Sequence, residues 1–199
     1  MAISLVQTND AATCNAKVAY CSAYTANQKS PQCLLATSGG TAGSVENSFA
    51  YGAGTGQICF VFDSGALGLT SWQSGTYYAP IYISTANSNY TLQAIELCRV
   101  DASCANLATV GSVTGLGISC GATGAKAGSS AISGAAQSST NSTDRLVVLY
   151  VFDIGGMGQQ SLGITPNQII TTPLSAVVTP GIPPDLIRND RYIRPLLGR

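Results

Sequence analysis

Acidic side chains are the residues of this sequence that come closest to catalytic chemistry, because two carboxyl groups can act together as general acid and base on a glycosidic bond. Four acids lie in or beside apolar, strand-like segments: Asp63, Glu96, Asp101 and Asp153. Three of them, all except Glu96, stand where such a segment gives way to turn-like sequence. Because acids at strand ends usually cap turns, we predict structural roles and keep a carboxylate hydrolase as an alternative.

Other catalytic residue types are missing from the sequence or lack their motif. There is no histidine, which excludes Ser-His-Asp triads, Cys-His dyads and histidine metal sites. The glycine-rich segment Gly52–Gly56 lacks the Lys-Ser/Thr pair of a phosphate loop and is interpreted as a flexible turn. We therefore predict that the chain is not an enzyme and has no cofactor and no metal site.

Seven cysteines are many for a cytosolic chain, and their spacings match no tight zinc motif. Cys98 and Cys104 flank the polar segment Arg99–Ser103, so a disulfide across two strand ends is geometrically feasible. For Cys59, inside an apolar run, a buried free thiol is an equally good interpretation. The odd number leaves one thiol unpaired unless it bridges two chains. The cysteines are Cys14, Cys21, Cys33, Cys59, Cys98, Cys104 and Cys120.

Aromatic residues cluster in the sequence at Trp72, Tyr77, Tyr78, Tyr82 and Tyr90. Such a cluster can form a platform for stacking carbohydrate rings. Aromatic packing across the strands of a sandwich is the more common arrangement and is the interpretation we favour.

The elements that carry these residues are strands, because short β-branched and aromatic segments recur between Gly, Ser, Asn and Thr. We predict an all-β fold, an antiparallel, jelly-roll-like β-sandwich over residues 1–171. The clearest predicted strands are Gln57–Asp63, Thr76–Ser84, Tyr90–Val100 and Asp144–Asp153. Weaker strands are predicted near residues 3–7, 17–22, 44–51, 116–120, 131–137, 160–165 and 168–171. Both alternating side-chain sets of Asp144–Asp153 are apolar, which places this strand at the sheet centre. Pro80 predicts an edge position or a bulge in Thr76–Ser84.

The composition of the chain limits the classes of partner that it is expected to bind. Charged residues make up only 9% of the chain and hydrophobic residues 45%, with nine basic and nine acidic groups in balance. This neutral surface argues against nucleic-acid binding. We find no apolar window of about 18 residues and no N-terminal Sec signal, so membrane spanning is not predicted. The segment Gly111–Asn141, rich in small residues, is interpreted as short strands and surface loops.

The character of the sequence changes near Thr172, where Thr172–Asp185 holds four of the eight prolines. We interpret residues 172–199 as an extended C-terminal arm. Residues 176–199 carry four arginines and two aspartates, a balance of +2, against five basic and seven acidic groups before them, a balance of −2. The arm is predicted to bind a partner by strand addition or in a groove, with simple disorder as the alternative. Its predicted contact residues are Ile182, Leu186, Ile187, Arg188, Arg191, Tyr192, Ile193, Arg194, Leu196 and Leu197.

About half of the chain resembles β-sandwich proteins encoded in tailed-bacteriophage genomes. The residues that carry the resemblance are Ser71–Tyr77, Cys98–Val100, Leu146–Phe152 and Ile164–Ile170. The resemblance implies a virion component, and a sandwich followed by a long C-terminal extension is similar to capsid cement or decoration proteins. No functional residue is transferred, since these families have no catalytic motif.

The resemblance implies a homo-oligomeric protein made in the host cytoplasm and located on the capsid surface. Its partners would be the major capsid protein, other copies of itself, or both, with no nucleic acid and no membrane. The alternative from another class is a phage tail or fibre domain that binds a host-surface glycan.

Overall fold

The computed structural model describes residues 2–11, 32–36, 45–51, 55–126, 131–138, 140–155, 158–164 and 169–175. Every regular element within these ranges is a β-strand, so the predicted all-β fold class is confirmed. The strands are β1 (Ala2–Ala11), β2 (Gln32–Ala36), β3 (Val45–Tyr51), β4 (Thr55–Ala66), β5 (Gly75–Tyr78), β6 (Tyr82–Thr85), β7 (Tyr90–Val100), β8 (Asn106–Val113), β9 (Ile118–Ser119), β10 (Gly124–Ala125), β11 (Ala131–Gly134), β12 (Arg145–Gly155), β13 (Gly158–Ile164) and β14 (Ile169–Ser175).

The strands form two sheets. The larger sheet has the order β11-β5-β14-β1-β2-β4-β12-β7-β8, with β9 also paired to β7, and the smaller has the order β10-β6-β13-β3. Pairing is antiparallel apart from β2 with β4. Parallel neighbours need a crossover connection, and here the connection between β2 and β4 contains β3 of the smaller sheet.

The sequence placed β12 at the sheet centre, but it is the seventh of nine strands in the order of the larger sheet. It is nevertheless an internal strand. It pairs with β4 on one side and with β7 on the other, each over about ten residues. One side-chain set of β12, which includes Val148 and Tyr150, belongs to the main core, and the other, which includes Leu149, belongs to a second apolar cluster. Both faces of β12 are therefore buried, and the prediction from its two apolar sets is confirmed.

The main core joins the two sheets in a sandwich-like arrangement. Ile83 and Leu162 of the smaller sheet share one apolar cluster with Phe60, Leu92 and Leu174 of the larger sheet. The larger sheet also curves until its terminal strands, β8 and β11, lie next to each other. A hydrogen bond from the backbone N–H of residue 135 to the carbonyl of residue 110 joins the two ends. The large sheet is therefore nearly closed around its core.

The prediction of one strand over Thr76–Ser84 was wrong. The segment forms β5 and β6, which belong to different sheets, and Pro80 lies between them. The physical reason is that proline has a fixed φ and no N–H to donate, so the chain leaves one sheet here and enters the other. The Pro80 carbonyl, which lies between the two strands, accepts hydrogen bonds from Gln7 Nε2 and from the Tyr150 hydroxyl, each at 3.0 Å.

The predicted boundary at residue 172 falls inside β14, which continues to Ser175 beside β1. Thr172 and Leu174 are buried, and the Thr172 hydroxyl donates to the Ile3 carbonyl at 2.9 Å. Pro173 had suggested the start of the arm, but the alternating pattern of buried residues continues past it. Residues 176–199 lie outside the described residues, so an arm over these residues stays a prediction.

Most of the weaker predicted strands correspond to observed ones. Strands near 3–7, 44–51, 116–120, 131–137, 160–165 and 168–171 correspond to β1, β3, β9, β11, β13 and β14. The predicted strand at 17–22 lies outside the described residues. The sequence did not predict β2, a short apolar segment, or β8 and β10, in which small or polar residues weaken the apolar pattern. In the described part of the chain no helix is long and apolar enough to cross a membrane.

Candidate functional surfaces

The predicted contact residues of the C-terminal arm lie outside the described residues, so their role as a partner-binding segment stays a prediction. The strand that leads to them does have a defined place. β14 is an internal strand, paired with β1 on one side and touching β5 through Thr171 and Tyr78 on the other. The chain therefore enters residues 176–199 from an internal strand of the large sheet.

Asp63 is a structural acid at the end of β4. Its Oδ2 lies 3.1 Å from the Arg145 guanidinium at the start of β12, and its Oδ1 accepts the Gly65 N–H at 2.8 Å. The carboxylate is fully buried, so a buried charge is matched by a cation and by a backbone donor. The sequence predicted a structural, turn-capping role for Asp63, and the bond to the Gly65 N–H fits that role; the ion pair with Arg145 was not predicted.

A second ion pair lies next to the first one. Arg99 Nε is 3.8 Å from Asp144 Oδ2, and an Asp144 oxygen accepts the Asn141 N–H at 3.0 Å. Because Asp144 directly precedes Arg145, the two ion pairs meet at one end of the central strands β4, β12 and β7. Four charged groups here neutralise each other in pairs.

Asp101 caps the turn between β7 and β8. Its Oδ1 accepts hydrogen bonds from the Ser103 N–H, the Ser103 hydroxyl and the Ala105 N–H, at 2.8, 2.7 and 2.8 Å. Cys104 in this turn has a positive φ of 66°, a conformation that side-chain-bearing residues rarely adopt. The carboxylate supplies the hydrogen bonds that hold this tight turn, as predicted for an acid at a strand end.

Of the predicted disulfide partners, one lies on the strand before that turn and the other lies in the turn itself. Cys98 is buried on β7, and Cys104 packs against the same second apolar cluster. The free thiols among the described residues are Cys59 and Cys120, both buried. Cys59 is thus a buried free thiol, which is one of the two interpretations that the sequence left open for it.

Glu96 is a buried acid on β7, with 6% of its surface exposed. Burial raises its pKa above the usual value, and its Oε2 has no hydrogen-bond partner among the described residues. It lies opposite Leu149 of β12, on the face that carries Cys59. Burial, and secondly the charge of Glu96, raises the pKa of the Cys59 thiol, so this thiol stays protonated and unreactive.

The structure does not bring the four acids to a common cleft. β12 separates Asp63 on β4 from Glu96 on β7, so their backbones are roughly 10 Å apart. Asp101 is in a turn, and Asp153 lies on β12 between Gln57 and Thr91. Asp63 and Glu96 are both buried, so a substrate in solution cannot reach their carboxyl groups in this conformation. Among the described residues there is also no group of three or more Cys, Asp or Glu side chains positioned to hold a metal ion.

The aromatic cluster divides into a buried and an exposed part. Trp72, Tyr77 and Tyr90 are buried in the main core. Tyr78 and Tyr82, at the ends of β5 and β6 that flank Pro80, are 48% and 39% exposed. The alternative of a carbohydrate platform made of all five aromatic residues is therefore wrong, because three of them are buried in the core. Only Tyr78 and Tyr82 are available to a ligand.

Sequence reasoning missed the polar contacts between distant segments. Gln7 Nε2 donates to the buried Tyr150 hydroxyl at 2.8 Å, and both groups donate to the carbonyl of Pro80. The partners are 70 or more residues apart in sequence. The available signal was the Tyr150 hydroxyl on a strand buried on both faces, because a buried hydroxyl requires a partner.

Comparisons with known proteins identify no family. No family model matches the chain, and no curated protein matches it. Among solved structures, it is similar to a chain in the crystal structure of the infectious bursal disease virus VP2 subviral particle, with 16% sequence identity and a TM-score of 0.37. The match covers 66% of this chain and 30% of that one, so this chain spans less than a third of that protein's length. A likeness at this level defines neither a family nor a function.

Proposed function

We propose that this protein is a structural, non-enzymatic component of a virion. In the proposal it is a cement or decoration protein of a tailed bacteriophage, made in the host cytoplasm and bound to the outer capsid surface. The β-sandwich body sits on the capsid, and the arm over residues 176–199 links it to the major capsid protein or to another copy.

The observation that carries this proposal is the internal position of β14, the strand that directly precedes residues 176–199 in the sequence. β14 is held by β1, by the contact between Thr171 and Tyr78, and by the hydrogen bond from Thr172 to Ile3. A pull on the arm is therefore distributed over several hydrogen-bonded strands instead of peeling an edge strand. A linker that holds neighbouring subunits together requires this mechanical connection.

The composition of the arm supports a docking role. It holds nine large apolar side chains, and burying each contributes about 1.5 to 3 kcal/mol. Ordering its 24 residues costs about 1 to 2 kcal/mol each, so side-chain burial alone does not suffice. Main-chain pairing with a sheet edge, arginine bonds to carboxylates and pre-ordering by proline close the difference. In the body, by contrast, the acids Asp63, Asp101 and Asp144 serve turns and internal ion pairs.

The experiment is deletion of residues 185–199 in the otherwise complete protein, followed by its incorporation into virus particles. We expect the truncated protein to keep the circular dichroism spectrum and melting temperature of the complete chain and to be absent from purified particles. A matched control replaces Arg99 in the body by Lys, which leaves the arm intact and should leave occupancy unchanged. Normal occupancy of particles by the truncated protein would refute the role of the arm.

We also propose that Cys98 and Cys104 form a disulfide that ties the turn between β7 and β8. Support comes from their shared apolar cluster and from the hydrogen bonds that Asp101 provides to the same turn. Cys59 and Cys120, by contrast, are free thiols. A particle component that leaves the reducing cytoplasm gains from such a bond, because reduction no longer competes outside the cell.

A second candidate function is glycan binding by a tail or fibre domain, which the exposure of Tyr78 and Tyr82 favours. Exposed tyrosines stack on the apolar faces of sugar rings, and these two lie on either side of Pro80. The test is a glycan array with Tyr82→Ala and, as a control, Tyr77→Phe, which removes a buried hydroxyl and keeps the ring. Binding that is lost with Tyr82→Ala and kept with Tyr77→Phe supports this function. No binding by the unaltered protein refutes it.

A further inference from the structure

β3 is the terminal strand of the smaller sheet. Its seven residues pair with β13 in an unbroken register, from Tyr51 opposite Gly158 to Val45 opposite Ile164. β13 occupies one edge of β3. The backbone N–H and C=O groups of the other edge are paired with no strand that the structure describes.

The other terminal strands of the two sheets differ from β3. In the larger sheet, β8 and β11 lie against each other, so their outer edges are covered. In the smaller sheet, β10 is only two residues long and is followed by Lys126. Among the described strands, β3 is therefore the one terminal strand that is both long and open.

Proteins usually protect such an edge with proline, lysine, a bulge or a very short strand, because an open edge pairs with other chains. The β3 sequence, Val-Glu-Asn-Ser-Phe-Ala-Tyr, has no proline and no lysine, and its register with β13 has no bulge. Its single charge is Glu46. An edge without these protections is suited to pairing with a partner strand.

We propose that the outer edge of β3 pairs with β3 of a second copy of this chain, antiparallel and with the two-fold axis at Ser48. In this register all seven residues are paired, whereas a register centred on any other residue pairs fewer of them. The two smaller sheets then form one continuous sheet through a self-complementary interface, which is the usual geometry of a homodimer.

The charges and side-chain types of β3 fit this partner. Val45 stands opposite Tyr51 of the second copy and Glu46 opposite Ala50, which gives two aromatic–β-branched pairs and no facing like charges. The two Glu46 residues are four positions apart along the strands, about 14 Å, which exceeds the roughly 8 Å Debye length at physiological salt. The strand therefore pairs with itself without electrostatic cost.

The test places charges on the two-fold axis, with Ser48→Lys and Ser48→Glu in the full-length chain. Sedimentation velocity over a concentration series should show a dimer for the unaltered protein. Each variant alone should dimerise at least about tenfold more weakly, because like charges directly opposite each other are destabilising. An equimolar mixture of the two variants should regain the dimer, because Lys then faces Glu. Circular dichroism of each variant checks that the fold is intact.

Two further variants test whether the outer edge of β3 pairs with a second copy or with another segment. Ser4→Lys, at an exposed position of the internal strand β1, should leave the dimer unchanged. A chain that ends at Ser175 should dimerise like the full-length protein. If this shortened chain is a monomer, dimerisation requires the arm, and the proposal is overturned. It is also overturned if the unaltered protein stays monomeric at its highest soluble concentration, or if both Ser48 variants dimerise normally. Hydrogen exchange of the unaltered protein gives a readout without substitutions, because outward β3 amides should be protected only at concentrations where the dimer forms.

Discussion

The backbone N–H of Ala135 donates a hydrogen bond to the Val110 carbonyl at 2.8 Å, and this contact joins the two ends of the large sheet. The approach is possible because two glycines lie at the junction. A Cβ atom on Gly111 would stand 2.4 Å from the Ser133 carbonyl oxygen, and one on Gly134 would stand 2.3 Å from the Tyr77 ring. The closure of the sheet therefore depends on the absence of side chains at these two positions.

The first prediction concerns Gly111→Ala, which should loosen the closure. Because the added methyl group meets backbone and not a flexible side chain, β8 and β11 must separate, at a cost of about 1 to 3 kcal/mol in the free energy of unfolding. The Ala135 amide should exchange its hydrogen faster than in the unaltered protein. Urea denaturation and hydrogen exchange measure the two effects.

The matched control is Gly155→Ala at the end of β12, where the nearest atom to an added Cβ is the Asn89 carbonyl oxygen at 3.9 Å. We expect this change to alter stability by less than about 0.5 kcal/mol. Equal effects of the two substitutions would show that the close approach of β8 and β11 is unimportant for stability.

The sequence was informative where burial leaves a local pattern. β7 was predicted with its observed bounds, Tyr90–Val100, and the burial of β12 on both faces followed from apolar residues in both of its alternating sets. β8 was missed because its Ala, Thr, Gly and Ser residues form a mostly exposed terminal strand with no apolar alternation. A pattern of period two indicates which residues are buried but not which sheet they belong to, so β5 and β6 were merged.

The contacts between distant segments could not be predicted from local patterns. The partners Asp63 and Arg145 are 82 residues apart, and only the register of β4 against β12 brings them together. The same limit applies to Gln7 and Tyr150. Turn capping by Asp101 was predictable because the acceptor and its donors lie within four residues.

The second prediction is that Arg145→Leu destabilises the protein by about 3 kcal/mol, because Asp63 would remain buried without its cation. Asp63→Leu together with Arg145→Leu should recover a large part of this loss, since an apolar pair replaces an ion pair at little cost. Lys126→Leu, which removes a cation that donates a hydrogen bond to the exposed Ala122 carbonyl, is the control and should change stability by less than about 1 kcal/mol. Thermal and urea unfolding give the values. If the double variant is as unstable as Arg145→Leu, the effect does not arise from the unpaired charge.

The third prediction tests the proposed pair of Cys98 and Cys104. Proteolysis of the oxidised protein without reductant should yield one cross-linked peptide that contains both cysteines. Cys98→Ala together with Cys104→Ala should lower the free energy of unfolding by about 2 kcal/mol, the value expected for a short closed loop. Alkylation of both residues in the unfolded, unreduced protein would contradict the pairing.

The fourth prediction concerns two tyrosines of the main core whose hydroxyl groups have no hydrogen-bond partner among the described residues, Tyr77 and Tyr90. Burial raises the pKa of each to about 12, from an ordinary value of 10.0. The folded state therefore holds these protons more tightly than the unfolded state. Their contribution to stability is complete below about pH 10 and is lost as the pH rises towards 12, by up to roughly 1.4 kcal/mol per pH unit for each group.

Tyr77→Phe and Tyr90→Phe should each make the loss of stability between pH 10 and pH 12 shallower, because the ring stays and the ionising group is gone. At neutral pH the same changes should be neutral or stabilising by about 1 kcal/mol, since an unpaired buried hydroxyl is removed. Tyr82→Phe, at an exposed position, is the control for a change of tyrosine content alone. The measurement is urea unfolding at a series of alkaline pH values. An unchanged slope in the Tyr77 and Tyr90 variants would mean that the alkaline loss of stability arises from other groups, and a loss of stability at neutral pH would mean that the two hydroxyls have partners in solution.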